Sequence, residues 1–173
     1  VPRDELQRTA ATNAIETLNK VPGVSTWTTG PNVSKPVIHG LGSNRVLTLF
    51  DGVRIEGQQW GEEHGVEVDQ FLIDRIEVVK GPASLLYGSD ALAGVVNLLP
   101  AHPVAPGTIS GEWTGAYATN NGQVAGSLAL NGNTGRWVWG LRGSHKQASN
   151  YRNSSDGRVY NTKYDEDDLG GYI

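Results

Sequence analysis

The most constraining feature of this sequence is a strict two-residue alternation through three successive segments of its second half. In residues 108–119 the apolar side chains, among them Trp113 and Tyr117, occupy odd positions, and small or polar residues lie between them. Residues 123–131 and 136–146 repeat this pattern. Segments rich in Asn and Gly separate the three, which is typical of tight turns. The pattern predicts antiparallel strands joined as an up-and-down meander.

The connections of this meander are predicted from the same residues. Tight turns are expected at residues 120–122 and 131–135, and a long polar loop at residues 149–168, before a fourth strand begins at residue 169. The loop ends in the acidic run 165–168. Its carboxylates offer ligands to a divalent cation, but the run lacks the glycine and the spacing of a Ca²⁺ loop. We therefore favour a solvated surface there.

Two fold classes contain such a meander: a soluble β-sandwich and an outer-membrane β-barrel. No run of about 18 apolar residues occurs, so the sequence predicts no transmembrane helix. Barrel strands need only about 9–11 alternating residues. The chain has 23 Gly, 5 Trp and 6 Tyr, and several aromatic residues lie near the strand ends. This distribution favours the barrel, whose rims carry aromatic girdles.

The first hundred residues have a different character. Residues 4–20 carry a helical apolar stripe with Asp4 as the expected N-cap, and Pro22 and Gly23 end that helix. Asp51 and Gly52 form a hairpin-turn signal, and a short helical turn is expected at residues 84–87. Strands are predicted at residues 37–38, 46–50, 53–55, 73–80 and 95–99. The mixture predicts a small α+β domain that ends near Pro100.

Catalytic and nucleic-acid functions find little support in the sequence. There are no cysteines, and 14 basic against 18 acidic residues give a net charge of −4, which argues against nucleic-acid binding. Gly40 and Gly42 resemble the start of a dinucleotide loop, but Arg45 stands where the third glycine is required. No nucleophile elbow occurs. We expect neither an enzyme nor a resident cofactor.

One polar, glycine-flanked loop concentrates residues that can contact a ligand. An imidazole beside carboxylates and an indole suits a transition metal, a porphyrin or an iron chelate, whereas the simpler alternative is a loop that faces water. The candidate ligand-binding residues are Gln58, Gln59, Trp60, Glu62, Glu63 and His64.

Four blocks of the first half resemble a known family. They read VIHGLG at residues 37–42, RVLTLFDGV at 45–53, IDRIEVVKGPASLLYG at 73–88 and AGVVN at 93–97. In order and spacing they are similar to the plug domain of TonB-dependent outer-membrane receptors. The resemblance covers about residues 4–100, and the meander that follows is similar to the first strands of the barrel that encloses such a plug.

This resemblance implies an α+β plug domain over residues 1–100, followed at residues 101–173 by a linker and the first antiparallel transmembrane strands of a 22-stranded β-barrel. The implied function is import of a scarce nutrient, such as a ferric siderophore, haem, cobalamin or another metal chelate, across the bacterial outer membrane. The implied partners are a TonB-type energy-coupling protein in the periplasm, outer-membrane lipid and the ligand. The segment that contacts the coupling protein is expected upstream of Val1 or outside this chain.

The resemblance also implies residues that hold a plug in its barrel, namely His39, Arg75, Glu77 and Lys80. The family usually has arginine at the position of His39 and often at that of Lys80. A lysine retains the charge but loses the bidentate geometry of the guanidinium. Histidine pairs with a carboxylate only when it is protonated, so we expect pH-sensitive anchoring at His39.

In the implied orientation, residues 120–122 and 149–168 lie outside the cell, residues 131–135 form a periplasmic turn, and residues 58–65 point upward as a substrate loop. Two alternatives remain open from the sequence. One is a soluble or periplasmic β-rich binding module, and the other is a receptor that captures peptides or proteins on the same scaffold.

Overall fold

The computed structural model describes residues 1–9, 13–57, 64–66, 68–82, 84–101 and 103–173. The chain divides into two compact units, Val1–Ala101 and His102–Ile173. Throughout the described parts of both units, no helix has the length and apolar character needed to cross a membrane.

The first unit begins with two short helices rather than the single helix predicted for this stretch. Helix α1 spans Arg3–Thr9, and a 3-10 helix spans Ala14–Lys20. Asp4 lies inside the first turn of α1, so its assignment as the N-cap was wrong. The second helix has its own N-cap, Asn13, whose side-chain oxygen accepts a hydrogen bond from the Ile15 amide at 2.8 Å. Such a side-chain acceptor competes with the helix ladder and starts a new helix.

The two helices are followed by a hairpin of strands β1, Val24–Gly30, and β2, Val33–Ile38. Strand β1 was not predicted, because its sequence is Ser- and Thr-rich and its side chains are mostly exposed. The unit also contains a four-stranded sheet in the order β4-β3-β6-β5. Its strands are β3 Val46–Phe50, β4 Val53–Arg54, β5 Ile73–Lys80 and β6 Gly94–Pro100, which confirms the four strands predicted there.

Strand β3 pairs parallel to β6, and the other pairs are antiparallel. Asp51 and Gly52 form the two-residue turn between β3 and β4, with φ of 50° and 77°, as predicted. The remaining short elements are helix α2, Ser84–Tyr87, and the 3-10 helices Ser43–Arg45, Gln70–Leu72 and Ser89–Ala91.

Apolar side chains cover both faces of this sheet. Because strand residues alternate between faces, Val46 and Val96 enter one buried cluster while Leu47 and Val95 enter another. The larger cluster also contains, among others, Ile15, Leu18, Ile38, Ile76 and Leu98. The first unit therefore has the buried apolar core of an ordinary globular domain.

The second unit is the predicted meander, an antiparallel sheet in the order β12-β9-β8-β7, with a small two-stranded ribbon, β10 and β11, between its last two strands. Its strands are β7 Thr108–Ala118, β8 Gln123–Asn133, β9 Val138–Ala148, β10 Arg152–Asn153, β11 Gly157–Arg158 and β12 Tyr164–Tyr172.

Two of the connections between these strands differ from the prediction. Strand β8 continues to Asn133, so the turn occupies residues 134–137, where the Thr134 amide donates to the Trp137 carbonyl at 2.9 Å. The acidic run 165–168 belongs to β12 and not to a loop. The charged residues of this run lie opposite residues of β9 in the sheet. A prediction based only on the alternation of apolar residues does not detect cross-strand pairing between charged side chains.

Candidate functional site

The predicted ligand loop is described only at its ends. His64 is exposed. The candidate residues Gln58, Gln59, Trp60, Glu62 and Glu63 lie outside the described residues.

Both ends of this loop are fixed to the first unit by backbone contacts. On one side, the Ile55 amide donates to the Thr48 carbonyl at 3.0 Å. On the other, the Val66 amide donates to the Ser34 carbonyl at 3.3 Å, and Val66 is buried. A Cβ at Gly65 would lie 3.0 Å from the Ser34 amide nitrogen, so glycine allows this close approach without displacing the neighbouring backbone. Both ends of the loop are therefore held by backbone hydrogen bonds to strands, one to β3 and one to β2.

Two of the four predicted anchoring residues contact the same turn of the first unit, at Pro22 and Gly23. His39 and Gly40 are the central residues of a tight turn after β2, with φ of 50° and 79°. The His39 amide donates to the Gly23 carbonyl at 3.0 Å. The Lys80 ammonium donates to the neighbouring Pro22 carbonyl at 2.9 Å. The structure thus brings two predicted cationic positions to the same short segment of chain.

The other two predicted anchoring residues are paired with each other. Arg75 and Glu77 lie two positions apart on β5, so they share a face, and their side chains form an ion pair at 3.1 Å with both partners about half exposed. Lys80 follows three residues later, a distance of about 10 Å along the strand. The four residues therefore form two separate groups and not one site.

The sheet of the second unit has its polarity inverted relative to a soluble domain. One face carries large apolar side chains that are at least 40% exposed, namely Ile109, Trp113, Tyr117, Leu128, Leu130, Leu141 and Leu169. The other face carries polar side chains that are at most 9% exposed, including Gln123, Asn133, Arg142, Ser144 and Lys146. In a water-soluble sandwich the apolar face would be the buried one.

The acidic run uses this alternation to pair with β9 on both faces. On the polar face, the Lys146 ammonium donates to a Glu166 carboxylate oxygen at 3.0 Å. On the apolar face, His145 Nδ1 lies 2.8 Å from an oxygen of Asp167. Asp165 lies beside them, and the ligand atoms of these three exposed residues are within 4.8 Å of one another. This is a donor set that suits a divalent cation, presented on a solvent-facing surface.

Comparison with known proteins places these features in a family. The family model described as TonB-dependent Receptor Plug Domain matches residues 1–95, more than half of the 173 residues. The chain belongs to this family. The resemblance inferred from the four sequence blocks is therefore confirmed, and the family is one of receptors and transporters rather than enzymes.

Curated relatives share the plug sequence. The chain is 47% identical over 90 residues to a hemin receptor of Yersinia pestis, which covers 51% of this chain and 13% of the relative. It is 38% identical over 101 residues to the vitamin B12 transporter BtuB of Vibrio vulnificus (strain CMCP6), which covers 57% of this chain and 16% of the relative. The matched part thus spans about a sixth or less of each relative's length.

The fold extends beyond the plug. The FrpB iron transporter from Neisseria meningitidis (F5-1 variant) superimposes with a TM-score of 0.79 over 96% of this chain and 27% of that one, at 17% identity. At this identity the match shows the fold alone. It confirms the fold, a small α+β domain followed by antiparallel strands.

The sequence prediction did not identify one part of this TonB-dependent receptor. Residues 149–168 were predicted as one long polar loop, yet within this stretch β10 and β11 pair Arg152 directly with Arg158. The Asn, Asp and Gly residues between these arginines form a recognisable turn signal that could have identified the ribbon.

Proposed function

We propose that this chain is the plug and the first barrel strands of an outer-membrane transporter that imports a scarce nutrient, such as a ferric siderophore, haem or another metal chelate. The inverted sheet of β7, β8, β9 and β12 carries this proposal, because exposed apolar side chains opposite a buried polar face match a strand wall between lipid and a filled lumen. The complete protein would form a 22-stranded barrel, in the class with a plugged lumen.

The apolar surface of this sheet also has the slant expected of tilted barrel strands. On β7 and β8 the apolar face reaches Tyr117 and Val124, which are cross-strand partners. In the same ladder row, β9 and β12 present Gln147 and Asp165, and β12 becomes apolar only at Leu169. An apolar belt of constant height crosses strands obliquely when they are tilted by about 35–45°.

Aromatic side chains mark both borders of this belt. Trp137 and Trp139 lie near the turn at residues 134–137, and the Arg136 guanidinium lies 6.0 Å from the centre of the Trp137 ring. Tyr117 lies at the opposite end of β7. We therefore assign the turn at 134–137 to the periplasm and the loops at 119–122 and 149–163 to the outside, in keeping with short periplasmic turns and longer extracellular loops.

In this transporter the loop between Ile55 and Val66 would contact the ligand through Gln58, Gln59, Trp60, Glu62, Glu63 and His64. The Pro22–Gly23 turn, with His39 and Lys80, and the Arg75–Glu77 pair would hold the plug against carboxylates of the barrel wall. A TonB-type periplasmic protein would supply the energy that moves the plug. The name of the 47% identical relative makes haem the first ligand to test.

A soluble β-rich binding module is the competing function. It would require the exposed side chains of Trp113, Tyr117 and Leu169 to face water permanently. An apolar patch of this extent on a soluble protein promotes association. A barrel strand instead places the same side chains in lipid.

The experiment measures haem and ferric-siderophore binding and uptake by the complete receptor, comparing wild type with Glu63→Ala/His64→Ala. We expect at least about tenfold weaker binding of the true ligand, since two charged or coordinating contacts are removed. Asp4→Ala, which removes an exposed carboxylate from α1, is the matched control and should leave binding unchanged. Unaltered binding and uptake in the double variant would contradict the proposed role of the loop. A receptor that is monodisperse in the absence of detergent would contradict the proposal that the protein is an outer-membrane transporter.

A further inference from the structure

The loop end of the second unit contains an open recess of about 510 Å³ lined by polar residues and one glycine. It lies where the β7–β8 turn meets the segment that carries β10 and β11. Its lining residues are Thr119, Asn120, Asn121, Gly122, Ser149, Asn150, Arg152 and Arg158. The lining thus combines two positive charges with amides and hydroxyls, and contains no carboxylate.

The two arginines of the recess are direct cross-strand partners in the β10–β11 ribbon. Residues in this relation project from the same face with Cβ atoms about 4.5–5.5 Å apart, and like charges there destabilise the pair. Within the described part of the chain, neither guanidinium has an ion-pair or hydrogen-bond partner. An anion between them would convert the repulsion into two charge-assisted interactions.

The ribbon is held in place without using either guanidinium. The Asn120 side chain accepts from the Arg152 amide at 2.8 Å and donates to the Arg152 carbonyl at 3.0 Å. At the ribbon turn, Asn153 accepts from the Asp156 amide at 2.6 Å and donates to its carboxylate at 2.9 Å. The backbone is therefore fixed before any ligand arrives, which reduces the entropic cost of binding.

Two further side chains present hydrogen-bond donors. The Asn121 side-chain oxygen accepts from the Gln123 amide at 3.3 Å, and the Asn150 oxygen accepts from the Thr162 amide at 3.0 Å. With the oxygens occupied, each side-chain NH₂ remains without a partner among the described residues, although Asn121 is only 7% exposed. Donors with no acceptor partner suit a ligand that is rich in acceptors.

We propose that this recess binds a phosphate monoester group on a polar carrier. A phosphate dianion matches two guanidinium groups in charge and can accept bidentate hydrogen bonds from each. The recess is larger than a phosphate, and its amides and hydroxyls suit a hydroxyl-bearing carrier. This inference goes beyond the proposed import of a metal chelate and does not depend on it; only its location outside the cell rests on that function.

The group can come from a dissolved phosphorylated sugar or from a lipid headgroup, and two arms of the experiment separate these sources. In the first, glucose 1-phosphate is titrated calorimetrically into the complete receptor in a maltoside detergent, with glucose as the unphosphorylated control. In the second, the complete receptor is placed in maltoside micelles doped with phosphatidic acid or phosphatidylcholine, and the lipid retained after gel filtration is measured.

The variant Arg152→Gln/Arg158→Gln should weaken binding at least about tenfold in whichever arm shows it, because charge-assisted hydrogen bonds are lost. Lys163→Gln is the matched control, since it removes an exposed positive charge from the same loop but outside the recess lining. It should change binding less than about twofold.

Binding of the sugar phosphate alone would assign a soluble ligand, and retention of phosphatidic acid alone would assign a lipid headgroup. The proposal is overturned if neither arm shows phosphate-dependent binding, or if Lys163→Gln weakens it as much as the double variant. None of these measurements involves transport. The absence of phosphate binding would therefore not contradict the proposed import function, and the absence of uptake would not contradict the proposed phosphate site.

Discussion

The two units of the chain place their apolar residues in opposite ways. In Val1–Ala101, side chains such as Ile38 and Leu98 are fully buried. In His102–Ile173, Leu128 and Leu169 are exposed, while Lys146 is buried with its ammonium 3.0 Å from Glu166. Both units obey the same hydrophobic effect, and the difference indicates which medium each surface was selected to face.

The largest loss of stability is expected in the buried apolar core of the first unit. Leu98→Ala removes a fully buried side chain from the centre of β6 and should lower the free energy of unfolding by about 2–5 kcal/mol through lost transfer energy and a residual cavity. Denaturant unfolding of the complete receptor in detergent, followed by circular dichroism, measures this loss. Leu128→Ala is the matched control on the exposed face and should cost much less; equal losses would contradict the contrast between the units.

The next effect tests the inverted unit directly. Leu128→Arg places a charge in the middle of the apolar face and should destabilise the chain by about 2–4 kcal/mol in a bilayer. Refolding yield and unfolding in lipid vesicles measure it. Gln147→Arg, on the same face but in the polar row, is the control and should be tolerated. If both substitutions are neutral in vesicles, the face does not meet lipid.

A smaller effect sharpens the description of the belt border. Gly132 lies directly opposite Trp139, and a Cβ there would be 2.4 Å from the indole ring. Gly132→Ala must displace the indole and should cost about 1–3 kcal/mol. A shift in tryptophan emission should accompany the loss. Gly126→Ala is the control, because its Cβ would have no neighbour closer than 3.7 Å. Equal losses of stability in the two variants would show that the Trp139 indole does not pack against Gly132.

The fold was largely predictable from the sequence, because period-two alternation and turn residues are local signals. The Asp51–Gly52 hairpin and strands β7 to β9 needed no tertiary information. Strand β1 was missed because a Ser- and Thr-rich strand carries no apolar period. The helix over residues 4–20 was wrong because periodicity did not show that Asn13 starts a second helix.

The side-chain neighbours at the candidate sites could not be predicted, because they depend on the register in which strands pair. Asp165 and Asp167 look like a solvated run until the pairing of β12 with β9 places them beside His145. Arg152 and Arg158 are six positions apart in sequence and become neighbours only because β10 and β11 pair as a two-stranded ribbon. Charged side chains in a strand obey pairing rules that a hydrophobic pattern does not report.

The smallest expected effect concerns a titratable group in the first unit. Burial raises the pKa of the Glu16 carboxyl, and the hydrogen bond from the Ser34 hydroxyl at 3.3 Å opposes this in part. The folded chain therefore takes up this proton at a higher pH than the unfolded chain does. At neutral pH the charged carboxylate destabilises the fold, and this cost is relieved as the pH falls through the raised pKa toward 4.5, the ordinary pKa of a glutamate carboxyl.

Glu16→Gln removes this charge at every pH. It should stabilise the first unit at pH 7 by less than about 1 kcal/mol, and the gain should shrink toward pH 4.5 as the wild-type carboxyl becomes protonated. Thermal unfolding of both chains across this range measures the difference. Glu56→Gln, a change of the same charge at an exposed position, controls for net charge. A gain that grows as the pH falls would show that the Glu16 carboxylate is stabilised by its surroundings, and the packing of the first unit around it would then differ from an apolar core.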